Sequence, residues 1–164
     1  ARGQTGLTGF LGVEGDKKLS LGKHFSTNYE LYTYAFFLGL YNNEYSPIPS
    51  NVKKVDFSHH IQYWGSKTTV SVRKDFTKLQ EYIFAALIAK SDIDFIALDK
   101  GEITEDEVVK ELIATMEAYT HGGLTLIKEK LEDNSSYFLN PTSFLDMIVK
   151  SKHEQTVGKK MVNL

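Results

Sequence analysis

Six cations and two flat rings crowd one stretch of this chain. Lys53, Lys54, Lys67, Arg73, Lys74 and Lys78 are interleaved with Tyr63 and Trp64. Lysine and arginine neutralise phosphates, and aromatic rings stack on exposed bases, so this composition suits a nucleic-acid surface. The competing reading puts Tyr63 and Trp64 in the core and leaves the cations as solvated charge, and the overall charge of −2 leans that way. A second cluster is acidic: Asp92-x-Asp94 with Asp99 offers hard oxygen ligands for a divalent cation. The same spacing is common on solvated surfaces, and no metal is expected here. Gly101 to Glu107 imitates the second half of a calcium loop. The earlier ligand positions would then fall on Ile96, Leu98 and Lys100, which cannot supply oxygen ligands, so calcium is rejected.

Nucleophilic and nucleotide chemistry find less support. His59 and His60 are adjacent and point apart in a helix or a strand. His24, His121 and His153 are isolated in sequence. There is no Gly-x-Ser-x-Gly elbow and no Gly-Lys-Ser/Thr phosphate loop. With no cysteine, disulfides, thiolate catalysis and thiolate zinc sites are excluded. No catalytic residue and no cofactor is expected.

The elements that would position these groups are mainly helical. The expectation is one compact helical domain over residues 25–150, preceded by a Gly-rich flexible arm over 1–24 and followed by a mobile polar tail over 151–164. Thr27-x-x-Glu30 is a capping box, after which Leu31, Tyr34, Ala35 and Leu38 follow helical spacing up to Asn42-Asn43. A second helix over about 75–90 carries Phe76, Leu79, Ile83 and Leu87, with Phe84 and Ile88 widening its apolar stripe. A short helical piece ends at Gly101. Thr104-x-x-Glu107 is another capping box and opens a third helix with Val108, Leu112, Met116 and Tyr119, flanked by Val109 and Ile113. Gly122-Gly123 reads as a break, a structural hinge rather than a phosphate cradle, leading into a fourth helix with Leu124, Ile127 and Leu131. Asn140-Pro141 opens a short last helix. Between the first two helices, Thr68 to Val72 alternates like a strand, and Val52, Val55 and Phe57 could pair with it in a small β-hairpin near residues 52–72.

Charge is unevenly distributed. Residues 1–90 carry 11 Lys/Arg against 7 Asp/Glu, a net +4, whereas residues 91–164 carry 8 against 14, a net −6. Such asymmetry can orient a protein toward a charged partner, or can reflect unevenly charged solvated faces. No apolar run approaches the roughly 20 residues of a membrane-spanning helix.

Two stretches carry a family resemblance. Phe25-Ser26-Thr27-Asn28-Tyr29-Glu30-Leu31-Tyr32-Thr33-Tyr34-Ala35-Phe36-Phe37-Leu38-Gly39 and Glu117-Ala118-Tyr119-Thr120-His121-Gly122-Gly123-Leu124 resemble segments of small proteins associated with DNA phosphorothioation (Dnd) systems. Thr120 and His121 stand where family members tend to have Ala and Asn, so no role of that Asn carries over. The resemblance implies a bacterial cytoplasmic protein working beside DNA modification or defence machinery. The preferred reading is an accessory or adaptor role, with protein components of that machinery, and in some form DNA, as partners, and no membrane. Two alternatives stay open: a small DNA-binding protein using residues 53–78, and a hydrolase or nuclease without a recognisable motif.

Overall fold

A computed structural model of the chain describes residues 25, 28–52, 77–134 and 136–149. Most of them are helical, and no strand occurs among them, so the expected hairpin near 52–72 is not borne out; residues 53–72 themselves lie outside the described residues. The Gly-rich arm over 1–24 and the tail over 151–164 also lie outside them. The chain divides into two compact units, one from Ala1–Phe57 with Ala118–Leu164, the other from Ser58–Glu117. No described helix is long and apolar enough to cross a membrane.

The first unit begins with α1, Asn28–Asn42, an almost uniformly apolar helix. Leu31, Ala35 and Leu38 recur on one face and are buried. With Leu124, Ile127, Leu131, Phe138 and Phe144 they form the core of this unit. The end of α1 is encoded locally. Asn43 adopts a left-handed backbone with φ of 54°. The Asn43 N–H then donates to Leu40 at 3.2 Å, and the Glu44 N–H to Gly39 at 2.9 Å. This is the Schellman pattern, and Asn is one of the few side chains that tolerates its left-handed position.

The second unit contains α2 (Thr77–Lys90), α3 (Phe95–Asp99) and the first part of α4. Asp94 caps α3: its Oδ1 accepts from the Ile96 and Ala97 N–H groups at 2.9 and 3.0 Å. Gly101 then ends α3 with φ of 72°, and the Glu102 N–H returns to the Ala97 carbonyl at 2.8 Å.

The largest departure from expectation is α4. It runs unbroken from Glu105 to Asp133, 29 residues, where two helices separated by Gly122-Gly123 were expected. At 1.5 Å per residue it is about 44 Å long. Its start is the expected capping box, with the Thr104 N–H donating to Glu107 at 2.8 Å and the Glu107 N–H to Thr104 Oγ1 at 3.3 Å. After α4 come a 3-10 turn, Tyr137–Leu139, and α5 over residues 143–149. Asn140 prepares α5 through a side-chain turn, its Oδ1 accepting from the Thr142 N–H at 3.1 Å, so the helix starts beyond Pro141 rather than at it.

Candidate functional site

Gly122 and Gly123 are packing residues, not a hinge. A β-carbon at Gly123 would collide with the carbonyl oxygen of Ala35 and lie 3.0 Å from the backbone nitrogen of Gly39. At Gly39 it would collide with the carbonyl oxygen of Tyr119 and lie 3.1 Å from the nitrogen of Gly123. The two helices therefore touch backbone to backbone, with Ala35 and Gly39 on α1 facing Tyr119 and Gly123 on α4. Ridges of side chains normally hold helix axes apart, and their absence here lets carbonyls contact the neighbouring backbone. Gly122 opens a second approach, toward the carbonyl of Glu44 just beyond α1.

That approach is held by a polar clasp. The Ser46 N–H donates to the Ala118 carbonyl at 3.2 Å. His121 Nδ1 lies 3.0 Å from the Ser46 carbonyl oxygen and 3.0 Å from Ser46 Oγ. Tyr45 and Tyr119 meet edge to face at 5.1 Å. A serine and a histidine at hydrogen-bond distance are where nucleophilic catalysis starts. Here the ring nitrogen also faces a carbonyl, which only accepts. In the tautomer with its proton on Nδ1, the ring donates to Ser46 and has no lone pair at that atom with which to activate the hydroxyl. The pair fastens a loop. His121 is isolated in sequence, and only the fold brings Ser46 to it.

A second polar group lies at the other end of the same unit. Tyr34 donates its hydroxyl proton to the Phe144 carbonyl at 2.6 Å, and its ring meets that of Phe144 edge-on at 5.1 Å. Burial pushes the Tyr34 hydroxyl well above the usual tyrosine range, with Tyr137 adding to the shift. Tyr137 is raised for the same first reason, and Asp146 adds to it. Tyr137 donates to the Ser143 carbonyl at 3.3 Å, and Ser143 donates to Asn140 at 2.8 Å and to the Tyr137 carbonyl. Both phenols are held neutral, and both donate to backbone carbonyls at the start of α5.

The second unit is acidic and partly apolar at its surface. Its described residues, 77–117, carry ten carboxylates against four lysines, a net charge of −6. On α4, Val109 and Ile113, which flank the buried set, are 51% and 53% exposed. Phe84 on α2, expected to pack inward, is 58% exposed. The expected buried stripe survives in Ile83, Leu87, Leu112 and Met116.

Other expected site residues fare differently. Lys53, Lys54, Tyr63, Trp64, Lys67, Arg73 and Lys74 lie outside the described residues, and Lys78 is exposed in the first turn of α2. Asp94 is engaged in capping α3, and no group of three or more potential metal ligands occurs among the described residues. No family model, no curated protein and no solved structure matches this chain. Function has to be read from these side chains.

Proposed function

We propose that this chain is an accessory or adaptor protein that acts by macromolecular contact rather than catalysis. One observation carries the reading. The second unit leaves large apolar side chains exposed on α2, α3 and α4, namely Tyr82, Phe84, Phe95, Ile96, Val109 and Ile113, amid concentrated carboxylates. Scattered exposed apolar residues are ordinary, but such a density on so short a segment is what interaction surfaces carry. The polar groups with catalytic potential have structural work: Asp94 caps a helix, His121 fastens a loop, and Tyr34 and Tyr137 hold α5.

The resemblance of residues 25–39 and 117–124 supports a setting in the bacterial cytoplasm, beside DNA phosphorothioation or defence machinery. The test is co-expression of the full chain with the products of the genes adjacent to its own, followed by affinity purification and size exclusion. Stable co-elution with one of them is expected. Retardation of DNA at low salt, lost when Lys53, Lys54, Arg73 and Lys74 are replaced by Ala, would instead give the function to a DNA-binding surface. A metal-dependent turnover lost on changing Asp92 or Asp94 would make the protein an enzyme.

A further inference from the structure

We infer that the exposed flank of α4 around Val109 and Ile113 is a docking face for a short, basic, amphipathic helix of a partner protein; this rests on the adaptor reading above. Val109 and Ile113 are four residues apart on one helix, so their side chains are neighbours. Glu105 and Asp106 stand four and three residues before Val109 and share its side of the helix. Both acids are exposed, as is Glu111. Glu107 bonds back to Thr104, so the first turn of α4 is rigid where these acids project. The result is a pair of aliphatic anchors with Glu105 and Asp106 beside Val109 and a single cation, Lys110, beside Ile113.

Charge decides between occupants. Nucleic acid and anionic lipid would both meet repulsion from a unit of net charge −4, of which residues 77–117 alone carry −6. A second copy of this face brings the same charge and the same repulsion. A helix with a leucine stripe and flanking Lys or Arg gains on both counts: its apolar stripe buries Val109 and Ile113, and its cations meet Glu105 and Asp106. Two aliphatic anchors make a footprint at the small end of interfaces, so binding of roughly micromolar strength is expected.

The probe is a fluorescein-labelled peptide of about four helical turns, with leucines at helical spacing and lysines on both flanks, titrated with the full chain and followed by anisotropy. Saturable binding that weakens with added salt is expected. Val109→Glu and Ile113→Glu should each weaken it at least about tenfold, and a peptide with Glu in place of every Lys should not bind. Both substituted side chains are already half in water, so thermal melts followed by circular dichroism should match wild type. Unchanged affinity in Ile113→Glu, equal binding of the acidic peptide, or no binding of the basic one would overturn the inference. The underlying reading fails separately: if Ile113→Glu still co-elutes with a neighbour-encoded protein, this face is wrong and the adaptor role stands. If wild type co-elutes with none, the adaptor role falls.

Discussion

Substituting Gly123 by Ala turns the close approach of α1 and α4 into a question of sign. By helix propensity alone, Ala in place of Gly inside α4 should stabilise by about 0.8–1 kcal/mol. The structure predicts the reverse. The new methyl group would fall on the Ala35 carbonyl oxygen, beside the Gly39 nitrogen. Neither atom can swing aside as a side chain does, because both belong to the backbone of α1. Relief requires moving α1 away from Leu124, Ile127 and Leu131, which share its core. Overpacking typically costs about 1–3 kcal/mol, and a backbone obstacle belongs at or above the top of that range. After the propensity gain is credited, a net loss of about 2 kcal/mol or more is expected. For a chain of this size that lowers Tm by about 4–8 °C. Urea and thermal melts of the full chain by far-UV circular dichroism measure it. Gly39→Ala should behave alike, and the double variant should cost less than the sum, since one displacement relieves both collisions. If Gly123→Ala is as stable as wild type or more so, the backbone contact is not what holds these helices and the argument is refuted.

Other perturbations test the remaining parts. Leu38 is buried in the core, so Leu38→Ala should cost about 2–5 kcal/mol in the same melts. The Thr33 hydroxyl is buried without a hydrogen-bond partner, so Thr33→Val, which keeps the shape and removes the polar group, should leave stability unchanged or raise it. Backbone and side-chain hydrogen bonds from Thr104 hold the Glu107 carboxyl below its ordinary value of 4.5. Its contribution to stability is therefore present above that pH and lost as pH falls through the lower folded-state value, and Thr104→Ala, which removes the hydroxyl but keeps the backbone N–H that bonds Glu107, should flatten only part of this dependence. His121→Ala should speed hydrogen exchange at the Ser46 amide, which bonds to Ala118 beneath the clasp, while leaving amides inside the α1 core protected.

What the sequence discloses and what it hides follow a physical line. Signals closed within a few residues are legible: the helical spacing of Leu31, Ala35 and Leu38, the stop at Asn43, the stop at Gly101, and the Thr104–Glu107 box. Each depends on backbone groups at most five positions away. The continuity of α4 is not legible, because glycine inside a helix is locally unfavourable and is tolerated only through contact with Ala35, Gly39 and Glu44, remote in the chain. His121 is opaque for the same reason, its partner being Ser46. Phe84 misleads in another way. Periodicity identifies the apolar side of a helix, but how much of that side is covered depends on neighbours that the periodicity does not contain. Asp94 reads equally as a ligand or a cap until the positions of the Ile96 and Ala97 amides are known.

The first unit is assembled from two stretches separated by the whole of the second. Its most apolar helix, α1, is made early, yet Leu124, Ile127 and Leu131 arrive only after the intervening stretch has been translated. At ribosomal speeds of ~5–20 residues per second, α1 waits roughly 4–18 s for the surface it packs against. During that interval Leu31, Ala35, Phe36 and Leu38 lack their native cover, and the nascent chain is at its most prone to aggregate or to recruit a chaperone.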